Sequence, residues 1–190
     1  DLDDNLATLL PAFPNLEQGR SITLRQLLNH TSGLTDYFYD YTRWEEEGTP
    51  LHAAFVLDFL RDRPLDFAPG TDWRYTNTAF YLAGLIVERV TGRPWGEIVI
   101  EQIARPLGLD SVVLCDEAGA ARSVGYDVGE TGGLVRSVED AETGVRGDAG
   151  LCVTTADLAR LPAALTTSGL LSDAALDAML GPTVLSNGLA

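Results

Sequence analysis

Residues 67–91 read FAPGTDWRYTNTAFYLAGLIVERVT. Pro69-Gly70 is a turn signal. Asn77 to Val90 is the strongest helical stretch in the chain, with Phe80, Ala83, Gly84 and Val87 at i, i+3, i+4 and i+7 and Gly92 as a stop. Tyr75-Thr76-Asn77 sits between turn and helix, which places a phenol and a carboxamide at a helix mouth. The positive end of the helix dipole there favours a phenolate and nearby anions. A phenol, with an ordinary pKa near 10, needs such help and neighbouring cations to act as a base at neutral pH. Taken alone, a tyrosine ahead of an asparagine cap is most often structural.

Working outward, Thr23-Leu24-Arg25-Gln26 forms a capping box. It predicts a helix that buries Leu24, Leu27 and Leu28 and stops near Asn29-His30, before Gly33. Leu6, Leu9 and Leu10 predict a short apolar face ended by Pro11 and Pro14. Residues 35–50 read as an irregular loop rich in Tyr, Asp and Glu, and Leu51 to Leu60 as a helix ended by Arg63-Pro64. On the other side, Pro94 is expected at the first position of a helix running to Ile103. Residues 111–140 read as short strands and turns. Thr154 and Ser172 are expected to cap two last helices, to about Thr166 and Leu180. There is no internal repeat and no low-complexity linker.

The 190 residues suffice for one domain with a real core, and 45% hydrophobic and 22% charged residues mark a globular chain. The net charge of −15 argues against nucleic-acid binding, which needs clustered cations, and against an anionic membrane surface. No apolar run approaches the roughly 18 residues of a membrane span. The opening Asp1-Leu2-Asp3-Asp4 is unlike a secretory leader, so export would imply a leader already removed. The compartment is left open between cytoplasm and a periplasmic or extracellular site.

All 13 basic residues are arginine. A mechanism that needs a lysine amine is closed to these residues alone, because a guanidinium stays protonated. Cys115 and Cys152 lie in apolar contexts and are expected to be two small buried hydrophobes, with a disulfide left open. His30 and His52 lie far from both, so no zinc spacing exists, and neither a metal nor a cofactor is expected.

Leu27-Leu28-Asn29-His30-Thr31-Ser32-Gly33-Leu34 resembles the LLxHTSGL signature of the serine β-lactamase and penicillin-binding superfamily, in its class C and DD-peptidase-like branch. Phe67-Ala68-Pro69-Gly70 leading into Tyr75-Thr76-Asn77 resembles that family's PG and YxN segment. Thr91-Gly92-Arg93-Pro94-Trp95, Pro106-Leu107-Gly108-Leu109, Val124-Gly125-Tyr126 and Gly150-Leu151-Cys152-Val153-Thr154-Thr155-Ala156-Asp157-Leu158 follow in the family's order. The resemblance covers nearly the whole chain.

It implies an α+β, β-lactamase/transpeptidase-like fold and a serine hydrolase acting on amide, ester or β-lactam bonds through an acyl-enzyme. Tyr75 would be the general base, sharing proton transfer with an SxxK lysine, and Asn77 would hydrogen-bond the acyl side-chain amide and that lysine. Trp73 and Arg74 are candidates to line the substrate cleft, although core packing is the first reading of Trp73. The substrate would be a small molecule or peptidoglycan-like. His30 and Ser32 are read as structural, since no G-x-S-x-G elbow accompanies them.

The sequence departs from the family pattern in two places. SxxK is absent ahead of LLxHTSGL, KTG is excluded by the lack of lysine, and neither His30-Thr31-Ser32 nor His52-Ala53-Ala54 fits HxG. Residues 1–190 are therefore expected to be one partial domain, lacking the SxxK segment and the C-terminal sheet strands. What remains should be the mainly helical region with short strands, inactive alone and prone to self-association through an exposed apolar face. The competing expectation is a non-catalytic binding or sensory module of the same fold.

Overall fold

The first three helices each begin at a side-chain oxygen that takes an orphan backbone N–H. In the computed structural model, which describes residues 1–40, 52–115, 123–129, 131–136 and 147–189, Asn5 caps α1 (Leu6–Leu9) by accepting from Thr8 N at 2.9 Å. Asn15 caps α2 (Leu16–Ser21) through Gln18 N. Thr23 opens α3 (Leu24–Leu28) with both halves of the capping box formed. Helix α2 escapes the sequence reading because Gly19 sits inside it. A Cβ there would lie 3.1 Å from the Phe13 ring and 3.2 Å from Ala7 Cβ, so the glycine lets α2 close on α1.

A short 3₁₀ turn, Tyr37–Asp40, follows, and Tyr41 to Leu51 lie outside the described residues. Helix α4 spans Ala53–Leu60. Its start differs from the expected Leu51: His52 is the cap, its Nδ1 accepting from Phe55 N at 3.1 Å. In α3, Leu27 is buried as expected, but Leu28 is 39% exposed, because only one side of this five-residue helix meets the core.

Helix α5 (Asn77–Thr91) runs through the core and ends at Gly92 in the left-handed region. Its buried face is turned from the expected one: Thr78, Ala79, Tyr81, Leu82, Leu85 and Ile86 are buried, and of the expected positions Gly84 is buried while Phe80, Ala83 and Val87 are only partly covered. The helix is apolar nearly all round, so periodicity alone does not choose the flank. Packing against α3, the 3₁₀ turn and α6 (Trp95–Val99) chooses it. Pro94 is the cap of α6 and not its first helical residue, since its ψ of 136° is extended. The helix continues as a widened π turn, Ile100–Ala104, closed by Arg105 N donating to Ile100 O.

Four short strands follow: β1 (Val113–Leu114), β2 (Tyr126–Val128), β3 (Leu134–Arg136) and β4 (Leu151–Cys152). Strand β1 pairs antiparallel with β4, Val113 opposite Cys152, and β2 pairs antiparallel with β3. The pairing of β1 with β4 overturns the expectation for the cysteines. It brings the Cα atoms of Cys115 and Cys152 to 4.9 Å, and the two are joined by a disulfide across a separation of 37 residues.

Helices α7 (Thr155–Thr167) and α8 (Asp173–Leu180) are capped by Thr154 and Ser172 as expected. The Asp157 carboxylate accepts from Ser111 N and Oγ, tying α7 to the start of β1. The last segment returns to the turn after α4, with Ser186 N donating to Gly70 O at 2.9 Å. The core joins Leu6, Phe13, Ile22 and Leu27 to Val56, Leu60, Tyr81 and Leu82. Full burial of each such side chain is worth about 1.5–3 kcal/mol. Val128 and Leu134 of the hairpin and Leu158, Met179 and Leu180 of α7 and α8 are exposed.

Candidate active site

The two motif segments lie side by side because their backbones bond to each other. Asp66 N donates to Gly33 O, Gly70 N to Thr31 O and Arg74 N to His30 O, at 2.8, 2.8 and 3.0 Å. Gly33 makes this closeness possible. Its φ is +77°, and a Cβ on it would lie 2.1 Å from the Phe67 carbonyl oxygen. His30 also takes a positive φ, 61°, which turns its ring toward the second segment.

That ring is the platform of the site. It lies 4.7 Å from the Tyr75 ring, 5.2 Å from Phe80 and 6.1 Å edge-on from Trp73. Its Nδ1 faces Thr76 N at 3.4 Å. Burial pushes the imidazole below its ordinary pKa, with the nearby Asp36 charge opposing the shift more weakly. His30 thus holds the tyrosine segment in place, the structural role expected of it. Ser32 is fully buried and its Oγ accepts from Leu34 N, so it offers no nucleophile.

Tyr75 is 55% exposed, and its hydroxyl lies 3.1 Å from Asn77 Oδ1. Asn77 is fixed from behind by a residue outside both motifs. One oxygen of Asp36, Oδ2, accepts from Asn77 N at 3.0 Å and from Asn77 Nδ2 at 2.9 Å. The other accepts from Phe38 N at 3.0 Å. Asp36 therefore occupies the α5 N-terminus, where the sequence reading left the helix dipole free for an anion. Thr76, formally the N-cap, makes no side-chain cap bond.

Beneath this layer, Thr78 Oγ1 accepts from Tyr37 N and donates to Thr35 O. The Tyr37 hydroxyl donates to Asp148 Oδ2 at 2.5 Å. Burial raises the Asp148 carboxyl above the usual carboxylate range and, with the Asp148 charge, pushes Tyr37 far above that of a free phenol. Gly147 admits this segment: its φ is +91°, and a Cβ would stand 2.4 Å from Phe80 O.

Of the four candidate residues, Tyr75, Asn77 and Trp73 gather around His30 and the mouth of α5. Trp73 is 57% exposed, so it does not pack into the core formed by the described residues. Arg74 turns aside into an ion pair with Asp66 at 2.7 Å, whose other oxygen accepts from Thr35 Oγ1. Asp36 and Asp148 were missed by the sequence reading. An acidic residue soon after HTSGL was the only available signal for Asp36, and its partner lies 41 residues away. Among the described residues no group of three or more His, Cys, Asp or Glu side chains is placed to hold a metal ion, and no helix is long and apolar enough to cross a membrane.

A helix-rich chain with a few short strands is also what the β-lactamase/transpeptidase-like fold presents over this region. The D-stereospecific amidohydrolase from Streptomyces sp. superposes with a TM-score of 0.81 at 28% identity, over 98% of this chain and 59% of that one. Penicillin-binding protein 4* of Bacillus subtilis (strain 168) is 28% identical over 202 residues, covering 98% of this chain and 44% of that protein. Esterase EstB of Burkholderia gladioli is 36% identical over 120 residues, covering 57% of this chain and 30% of the esterase. Residues 1–188 match the Beta-lactamase family model, and the chain belongs to that family. It spans less than half the length of these two relatives.

Proposed function

We propose that this chain supplies the tyrosine half of a serine-hydrolase active site that cleaves amide, ester or β-lactam bonds through an acyl-enzyme. The observation that carries the reading is the exposed Tyr75 hydroxyl, 3.1 Å from Asn77 Oδ1 at the mouth of α5. In this reading Tyr75 is the general base: in its phenolate form, its own proton having passed to the partner lysine, it takes the proton of a serine nucleophile as that oxygen attacks the carbonyl. Asn77 holds the acyl side-chain amide. Trp73, exposed two residues before Tyr75, borders the cleft, and Arg74, expected there too, is engaged by Asp66 instead.

The sequence contains no lysine, and the Ser32 hydroxyl is buried. In this reading the SxxK serine and lysine are supplied from outside residues 1–190, and so is the strand bordering the oxyanion site. Residues 1–190 then form one partial domain, inactive by itself. The names of the relatives support bond cleavage of this class: one is an amidohydrolase, one a penicillin-binding protein and one an esterase.

The test is turnover of nitrocefin and of p-nitrophenyl esters by the natural full-length protein, with and without Tyr75→Phe. Loss of a general base is expected to lower kcat by about 10²- to 10⁴-fold. Equal rates for the two proteins would remove Tyr75 from the mechanism. Absence of any acyl-enzyme by mass spectrometry would favour a binding or sensory module instead.

A further inference from the structure

We infer that Asp36 is a positioning residue for the reaction, acting through Asn77, and this rests on the reading of Asn77 given above. A carboxamide has two chemically opposite ends, and what faces it fixes which end points where. A carboxylate only accepts, so the Asp36 oxygen 2.9 Å away must face the N–H₂ end of Asn77. The carbonyl end is thereby turned to the Tyr75 hydroxyl, at 3.1 Å. Asn77 keeps one side-chain N–H and one further lone pair for a substrate amide and a proton-carrying partner.

Asp36 is well built for this task. Its two oxygens serve three N–H groups: Phe38 N, Asn77 N and Asn77 Nδ2. Two of the three belong to its own turn and to the first turn of α5, so the carboxylate is locked before Asn77 is oriented. The flanking residues are tied down as well, since Tyr37 N and Thr35 O both bond the Thr78 hydroxyl, one residue beyond Asn77. The segment after HTSGL is thus clamped to the helix that carries the Tyr–Asn pair.

An asparagine at position 36 has the same shape but only one acceptor oxygen. It either sets its own N–H₂ against Phe38 N–H or turns it toward Asn77. In both cases the direction of the Asn77 amide is no longer imposed. Misplacing a positioning group by about 1 Å costs up to about 100-fold in rate.

The experiment is a double-mutant cycle in the natural full-length protein, using Asp36→Asn, Asn77→Ala and the pair, with ester turnover as the readout. Asp36→Asn is expected to lower kcat about 10- to 100-fold with a smaller change in KM, and to cost nothing further when Asn77 is already alanine. The same loss in both backgrounds would overturn the inference and leave Asp36 as a residue of the fold only. No loss for Asn77→Ala alone would overturn the reading of Asn77 itself, and the inference with it. Asp36→Ser, which keeps one acceptor, carries the same cycle should Asp36→Asn fail to fold.

Discussion

His30 shows how much one side chain can be asked to do in this site. It takes a positive φ of 61°, uncommon for a residue other than glycine, and its ring packs against Tyr75 and Phe80. Burial holds its folded pKa below the ordinary value of about 6.5, so the unfolded chain binds a proton more readily. The sign follows directly: stability is fully present above about pH 6.5 and is lost as the pH falls from there through the folded pKa. Urea unfolding between pH 7 and 5 is expected to show this decline, and His30→Asn, which tolerates the positive φ, to flatten it. An equal slope in wild type and variant would assign the decline to other groups. Thr76 gives the opposite case. It is only 2% exposed, and its Oγ1 has no hydrogen-bond partner among the described residues. Its backbone is extended, at φ −151° and ψ 132°, which suits a β-branched side chain. Thr76→Val is therefore expected to leave stability unchanged or raise it by about 1 kcal/mol. A loss of about 1 kcal/mol or more in thermal melts would show that the hydroxyl is satisfied in solution.

At the scale of elements, the legible parts were those governed by nearest neighbours along the chain. The Thr23 capping box, the Gly92 stop, the Thr154 cap and the Ser172 cap each involve residues within about one turn, and each formed where the sequence placed it. The α5 N-terminus was legible as a position but not as a site. Its capping carboxylate comes from Asp36, in a stretch whose composition predicts an irregular loop. The buried flank of α5 was misread for a related reason: an almost wholly apolar helix has no polar face to mark which side meets solvent. Gly33 shows where tertiary demand selects a residue. A side chain at this position would strike the Phe67 carbonyl of the neighbouring motif segment.

For the molecule as a whole, the disulfide between Cys115 and Cys152, the chain's two cysteines, closes a covalent loop across 37 residues. Loop-closure entropy sets its contribution at about 3–4 kcal/mol. Dithiothreitol is expected to lower the melting temperature of the native protein and to leave a Cys115→Ala/Cys152→Ala variant unmoved. Two free thiols titrating in the untreated protein, or a melt insensitive to reductant, would remove the bridge. The disulfide stabilises β1 against β4, and beside that pairing the Asp157 carboxylate of α7 accepts from Ser111 N.

The sequence by itself determined the family, through ordered motifs from LLNHTSGL to GLCVTTADL, and it located the Tyr75–Asn77 pair, because these depend on residue identity and spacing along the chain. It also determined, from the lack of any lysine, that these residues cannot supply a serine–lysine pair. Only the tertiary structure decided that Asp36 orients Asn77, that His30 underlies Tyr75, that Arg74 is drawn off by Asp66, and that the two cysteines meet. The physical reason is the same in each case. These are contacts of a few ångströms between side chains that, apart from Arg74 and Asp66, stand tens of residues apart, and no local propensity or period encodes the distance between them.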